Sequence, residues 1–302
     1  FVNLLESGKL LISDLITNKF NFASALLGYS DKQDNLDFGN LLIYDSEKKS
    51  NILDGFKKTI PKPQNSDKKV KIGFIGAGSF AQNKIIPLLS KNPNVILQTV
   101  SSNTGSVSKH VSEKFGFINF TTDSQSTMLD SEIDTVFILT RHASHAEFVI
   151  KIIENKKNIF VEKPLALNWV DLNKIIEKSN TYDNIISIGY NRRFSAGIQS
   201  LLKYLRNESA PLFINYNINA GSLPNNHWFY DKDQGGNRFL SEPVHFIDLC
   251  NFLVNQRPIG YSTTILRSNE ENIKGPENFI LNLNYKNGSI ANINYKLAFG
   301  GL

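Results

Sequence analysis

The chain is short of the residues that build disulfides and zinc cages, and it has no run fit to span a membrane. Among its 302 residues there is one cysteine, Cys250, which excludes an internal disulfide and any cysteine-rich zinc site. A single thiol suits a reducing compartment, so the cytoplasm is the expected location. No apolar run approaches the roughly 20 residues of a membrane helix, and no secretory signal opens the chain. The net charge of +5 is modest and the lysines are scattered. Without a basic arm interleaved with aromatics, nucleic acid is not an expected partner. The only methionine is Met128, and the chain runs from Phe1 to Ala298-Phe299-Gly300-Gly301-Leu302, directly after a strand-like run. It is read as a piece of a longer protein.

What is present begins with Val70-Lys71-Ile72-Gly73-Phe74-Ile75-Gly76-Ala77-Gly78-Ser79-Phe80-Ala81. An apolar strand ends in Gly76-x-Gly78-x-x-Ala81 and opens into a helix, the dinucleotide-binding arrangement. The first glycine permits the tight turn, the second lets backbone approach a pyrophosphate, and the small Ala81 allows close helix–strand packing. The phosphates would lie on unpaired amides at the helix N-terminus, which favours negative charge.

From there strands and helices alternate. Val95–Val100, Thr135–Leu139, Asn158–Val161 and Ile185–Ile188 read as strands. Phe80, Ile85, Leu88 and Leu89, and then Val107, Val111 and Phe115, have helical spacing. Further helices are expected from about Ser144 to Glu154 and from near Asn168, and Pro87 should distort the first one. The fold class is therefore α/β, a doubly wound parallel Rossmann sheet covered on both faces. After about Asn191 the rhythm changes. A helix over Ala196–Arg206 precedes alternating runs at Leu212–Asn219, Ser262–Leu266, Phe279–Tyr285 and Ser289–Tyr295. The last two are joined by Lys286-Asn287-Gly288, a hairpin signal. An α+β domain follows, with a largely antiparallel open sheet through which a homo-oligomer is expected to form.

The expected division is 1–56, a linker at 57–67 rich in proline and polar residues, a Rossmann domain at 68–190 and a substrate domain at 191–302. Within 1–56 a helix is read over Phe22–Gly28 and a strand over Leu41–Tyr44. The segments Leu5–Leu10, Leu15–Phe20 and Leu41–Ile43 resemble the C-terminal end of medium-chain, alcohol-dehydrogenase-like reductases. That resemblance carries no catalytic residue.

Ligands of a doubly wound sheet bind at the carboxyl ends of its strands. Polar residues gather there at three successive tips: Thr140-Arg141-His142-Ala143-Ser144-His145, Glu162-Lys163-Pro164 and Gly189-Tyr190-Asn191-Arg192-Arg193-Phe194. Each alone has a plain reading as a surface ion pair, a solvated charge pair or a helix cap. Val161-Glu162-Lys163-Pro164-Leu165-Ala166, with the glycine motif upstream and Gly-Tyr-Asn-Arg-Arg-Phe downstream, resembles the Gfo/Idh/MocA oxidoreductases. This is the glucose-fructose oxidoreductase and inositol dehydrogenase family, and the likeness spans roughly Lys68 to Leu302. Asp231–Asp248 resembles the segment that brings a histidine to the nicotinamide.

The resemblance implies NAD or NADP as cofactor and no metal. It implies Lys163 as donor to the reacting oxygen, His245 as proton carrier and a cis Lys163–Pro164 bond. A core histidine satisfied on its helix is the plainer alternative for His245. Cofactor contacts are expected from Gly76, Gly78, Ser79, Phe80, Ala81, Ser101, Ser102, Thr140, Arg141, His145 and Glu162. Substrate contacts are expected from Tyr190, Arg192, His227, Trp228 and Glu242. Asn226–Tyr230 offers hydrogen-bonding tips beside aromatic faces, and either Arg192 or Arg193 could hold a carboxylate or phosphate.

Two departures stand out. Ser241 occupies the place of an aspartate four residues before the histidine, with Glu242 next to it. The second strand ends in Val100-Ser101-Ser102-Asn103-Thr104, with neither acid nor arginine, so NAD and NADP both remain open. The expected activity is hydride transfer at a secondary alcohol or ketone of a sugar, cyclitol or nucleotide-sugar. A redox-assisted glycosidase or lyase of the same fold, or a cofactor-binding module without turnover, are the alternatives.

Overall fold

The chain separates into two units, Phe1–Pro63 and Gln64–Leu302. The structure, a computed structural model, describes residues 16–21, 24, 40–43, 69–205, 210–224, 226–266 and 278–296. In the first unit β1 (Asn18–Asn21) and β2 (Asn40–Ile43) pair in parallel. Parallel neighbours need a crossover of about a dozen residues or more, and residues 22–39 lie between them. Leu5–Leu10, the helix read over Phe22–Gly28 (Ser24 apart) and the linker 57–67 lie outside the described residues.

The second unit begins with short apolar strands: β3 (Val70–Ile75), β4 (Val95–Ser101), β5 (Asn119–Thr121), β6 (Thr135–Ile138), β7 (Asn158–Val161) and β8 (Ile186–Ile188). They form one parallel sheet in the order β5-β4-β3-β6-β7-β8. The order reverses beside β3, and at such a switch point a crevice opens at the strand tips. Register places Phe74, Phe137 and Phe160 side by side across β3, β6 and β7, with ring centroids 5.0 and 4.8 Å apart. β5 escaped the sequence reading because three residues, two of them exposed, carry no alternation to read.

The first helix departs from its expected face. A π-helical turn, Ala81–Ile85, interrupts the helical run from Ser79 and leads into α1 (Ile86–Leu89), so the expected distortion lies directly before Pro87, which has no N–H to give the run. The wider turn shifts the register. Ala81 and Ile86 are buried, whereas Phe80 and Leu88 are 40% and 72% exposed. In α2 (Gly105–Phe115) the buried face is Ser108, Val111 and Ser112, so Val107 points outward. The small serines let the helix approach the sheet, and Ser112 Oγ donates to the Phe117 carbonyl at 3.0 Å. α3 (Ser124–Leu129) is capped by the Asp123 carboxylate. α4 (His145–Glu154) and α5 (Trp169–Ser179, capped by Asn168) bury Val149, Ile152 and Ile175 against Val136, Ile138, Ile159 and Val161.

After α6 (Ala196–Leu205) come β9 (Phe213–Asn219), α7 (Arg238–Ser241), α8 (Pro243–Val254), β10 (Pro258–Ile265), β11 (Phe279–Tyr285) and β12 (Ile290–Lys296). The second sheet has the order β10-β11-β12-β9. The expected antiparallel pairing holds along β10, β11 and β12, but β9 joins β12 in parallel, so the sheet is mixed. α8 packs Phe246, Cys250 and Val254 on one face of it, against Leu281, Leu283, Ala291, Ile293 and Tyr295. The other face carries Ser262, Asn282, Asn292 and Asn215 in one row across all four strands, with exposed Phe213, Ile280 and Ile290 in phase with it. Among the described residues no helix is long and apolar enough to cross a membrane.

The two motif glycines do different work. Gly76 has φ +97°, and a Cβ there would lie 2.6 Å from the Leu139 carbonyl oxygen. A Cβ on Gly78 would meet nothing within 4 Å. Gly76→Ala should therefore lower stability by about 3 kcal/mol or more, while Gly78→Ala stays within about 0.5 kcal/mol of the parent. Urea unfolding of the two variants side by side checks this, and equal midpoints would contradict it.

Candidate active site

The tip of β3 is a braced turn with open space above Gly78. The Gly76 amide donates to the Ser101 carbonyl at 2.9 Å, and Gln82 Nε2 donates to the Ala77 carbonyl at 2.7 Å, bracing the turn. Gly78, Ser79 and Phe80 are exposed at the start of the helix, and Ala81 is packed beneath them. Open space above Gly78 and free amides at a helix start fit a dinucleotide pyrophosphate. Ser101 is a correction. Its hydroxyl is fully buried and donates to the Phe74 carbonyl at 3.0 Å, so it faces the sheet and not a ribose. Ser102 is half-buried and donates to the Thr104 carbonyl at 2.8 Å.

The tips of β6 and β7 are tied together by His145. Its ring is wholly buried, with Nδ1 2.7 Å from the Pro164 carbonyl and Nε2 3.1 Å from the Thr140 carbonyl. A neutral imidazole donates through one nitrogen only, and the shorter Nδ1 contact is assigned that proton. Burial lowers the pKa, against the pull of the two carbonyls. The expectation that His145 touches the cofactor is thereby corrected: it pins the loop that carries Lys163. The Lys163–Pro164 bond is cis. Lys163 Nζ donates to the Ser241 carbonyl, and burial pushes its pKa down while Glu162 and Glu242 oppose. Glu162 lies against Gly189, where a Cβ would strike its carboxylate at 2.6 Å. Burial raises its pKa, opposed by Lys163.

At the β8 tip the two arginines part company. Arg193 Nε donates to Asp248 Oδ2 at 2.6 Å, and its NH2 group donates to Oδ1. Arg192 is exposed, with its guanidinium 4.5 Å from the Phe246 ring centroid. Tyr190 is half-buried and lies 6.2 Å edge-to-face from His245. His245 is itself buried, and its Nδ1 has no hydrogen-bond partner. Burial, followed by the charges of Lys163 and Arg192, lowers its pKa to about 3. The imidazole is therefore neutral and able to accept a proton.

Glu242 does not stand in freely for the missing aspartate. Its carboxylate accepts from Arg238 Nε at 3.1 Å and from the Tyr295 hydroxyl. Arg238, only 2% exposed, also donates to the carbonyls of Ala220 and Gly221. Ser241 Oγ is turned inward to the Asn237 carbonyl at 2.9 Å. His227 and Trp228 lie beside the strand tips. Trp228 packs on His142 at 4.7 Å, with Arg141 over its ring, and His227 Nδ1 accepts the Phe229 amide. Trp228 thus meets the Arg141–His142 loop, while His227 bonds within its own turn. Thr140 Oγ1 bonds Ser144 Oγ at 2.6 Å, and Arg141 reaches Gln234.

Three contributors were missed in the sequence reading. Asp248 sits three residues after His245, one turn along a single helix, and that spacing could have flagged it. Arg238 reads as an ordinary solvated arginine. His142 reads as one of two tip histidines, yet it is buried, with Nδ1 3.0 Å from the Gly235 carbonyl. A separate groove of about 510 Å³ lies at the opposite ends of β3, β6 and β7, lined by Lys69, Asp134, Phe137 and Phe160, away from these tips.

Burial holds His142 at a pKa of about 4, against 6.5 for a free histidine. Below pH 6.5 the unfolded chain binds the extra proton and the folded one does not. The stability present above pH 6.5 is thus lost as pH falls toward 4. About 2 kcal/mol should go between pH 6.5 and 5 from this group. Melting curves should show a shallower acid slope in His142→Gln than in the parent; identical slopes would contradict the assignment.

Comparisons with known proteins accord with this geometry. A family model described as "Oxidoreductase family, NAD-binding Rossmann fold" matches residues 70–190. Myo-inositol 2-dehydrogenase of Thermotoga maritima is 27% identical over 191 residues, 62% of this chain and 55% of that protein. The chain thus spans little more than half of that relative's length. The myo-inositol dehydrogenase of Lactobacillus casei, solved with NAD(H) and myo-inositol, has a TM-score of 0.64 at 23% identity, covering 76% of this chain and 68% of its own. A levoglucosan dehydrogenase solved with NADH and levoglucosan gives 0.67 at 21% identity, covering 77% and 68%. These two structural likenesses show a shared fold. Over residues 70–190 the chain is thus similar to the Gfo/Idh/MocA oxidoreductases, whose model is described by an NAD-binding Rossmann fold.

Proposed function

We propose that this protein is an NAD(P)-dependent oxidoreductase that moves hydride between a nicotinamide ring and a CH–OH carbon of a sugar or cyclitol. The observation that carries the reading is the meeting of Lys163, at the tip of β7, with the segment that leads into His245 on α8. Lys163 Nζ is bonded to the Ser241 carbonyl, four residues before His245, and its charge bears directly on the imidazole. The named substrates of the relatives above, myo-inositol and levoglucosan, are polyhydroxylated rings. Bound at the open turn, a nicotinamide cofactor would supply the hydride acceptor or donor.

The chain's own residues do the rest. Neutral His245 takes the hydroxyl proton through its imidazole as the carbon is oxidised. Lys163 donates to the same oxygen and stabilises its developing negative charge. Burial makes its proton easier to release than that of a surface lysine. His145 and the Arg193–Asp248 pair hold those groups in place and stay out of the chemistry. Gly76, Gly78, Ser79, Phe80 and Ser102 would face the dinucleotide, and Tyr190 the substrate.

Three narrower readings belong with this one. Residues 68–190 act as the cofactor domain and 191–302 as the substrate domain, in a cytoplasmic protein. Residues 1–56 are read, on the sequence segments alone, as the tail of a medium-chain reductase-like domain. The free face of the second sheet meets another copy: Phe213 and Ile290 pair across β9 and β12 and are 75% and 42% exposed.

Two measurements follow. In the full protein, Lys163→Ala and His245→Ala should each lower turnover by roughly 10²-fold or more. NADH affinity, read by fluorescence, should stay within about twofold in His245→Ala, and near-normal turnover there would overturn the proton-carrier role. For the sheet, sedimentation of the wild type should show an oligomer that Phe213→Asp dissociates. A monomeric wild type would contradict that contact.

A further inference from the structure

Five cationic side chains and three carboxylates surround the strand tips, Arg141 among them bonded to the neutral Gln234 amide. Asp248 takes Arg193 through two bonds, Glu242 takes Arg238 Nε, and Glu162 lies beside Lys163. That leaves Arg192. Among the described residues its side chain makes no hydrogen bond or ion pair; its recorded contact is with the Phe246 ring. The other arginines at these tips are committed, Arg141 to Gln234 included.

Arg192 lines a cleft of about 300 Å³ with Tyr216, Glu242, Phe246 and the Asn217–Ala220 stretch of backbone. β9 is the edge strand of its sheet, so its outer row of amides and carbonyls is free of ladder partners and suited to hydroxyl groups. The cleft therefore offers one unmatched positive charge, two aromatic walls and a row of backbone donors and acceptors.

On the dehydrogenase reading above, we propose that Arg192 receives a carboxylate of the substrate, which is then a sugar acid or cyclitol acid and not a neutral polyol. Stacking on Phe246 leaves the in-plane N–H edge of the guanidinium available for two parallel bonds to a carboxylate. A single negative charge matches the single cation that lines this cleft. A phosphate monoester carries about −1.5 to −2 at neutral pH and would press its excess charge on Glu242 across the same cleft. The seated anion also offsets one of the two cations that depress His245, bringing the imidazole back toward the range useful for proton transfer.

The test is calorimetry on the NADH-loaded protein. Glucuronate, galacturonate and mannuronate are each titrated against the parent hexose and its 6-phosphate. At least one uronate should bind roughly tenfold or more tighter than its neutral parent, as a charge-assisted pair predicts, and tighter than the phosphate. Arg192→Gln should abolish that preference while leaving the neutral parent within about twofold, and Arg192→Lys should restore part of it. Three results would overturn the proposal: no uronate binding above its parent, a phosphate held most tightly, or a preference that survives Arg192→Gln. Failure of the protein to take up NADH at the outset would instead sink the dehydrogenase reading itself.

Discussion

The site depends on polar bonds between the tips of one sheet and a segment that arrives much later in the chain. Arg193 grips Asp248 across 55 residues, Lys163 reaches the Ser241 carbonyl across 78, and His142 meets the Gly235 carbonyl across 93. Asp248 and His142 are buried. Each such bond leaves a costly orphan if its partner is withdrawn, on the order of 1 to 3 kcal/mol for a buried polar group and more for a charge. Loops at strand tips have no core of their own. Here the segment running through α7 and α8 gives them one, and in doing so it sets His245 beside Lys163.

Burial then sets the chemistry. Water is withdrawn from Lys163, Glu162 and His245 together, and desolvation is the leading cause of each shift. The lysine becomes a readier proton donor, and the histidine stays neutral next to cations that would repel its charged form. Arg238 and Glu242 are bonded to each other, to Tyr295 and, through Arg238, to the carbonyls of Ala220 and Gly221, while Glu242 still opposes the lowering of the Lys163 pKa. Their role is to fix the start of α8, and with it the ring of His245.

Much of this was legible in the residues, because the signals were local. Gly76, Gly78 and Ala81 announce the turn, and apolar runs separated by helical spacing announce the parallel sheet. Polar residues at three successive tips announce the crevice. What was not legible depended on tertiary contact. Ser101 and His145 look like ligand groups in sequence, and only the fold shows their polar atoms spent on the Phe74, Pro164 and Thr140 carbonyls. Arg192 and Arg193 are neighbours of one type, and nothing in the sequence says which of them Asp248 will take. The π turn after Ala81 defeated a reading of helix faces that assumed 3.6 residues per turn.

The claim on which the account turns is that a nicotinamide ring belongs between Lys163 and His245. A crystal structure of the protein soaked with NADH tests it directly. The account predicts the pyrophosphate against the Gly76–Phe80 turn and the nicotinamide within van der Waals contact of Lys163 and His245. A dinucleotide bound with its nicotinamide turned away from both residues, or lodged in the groove at the opposite ends of the strands, would contradict it.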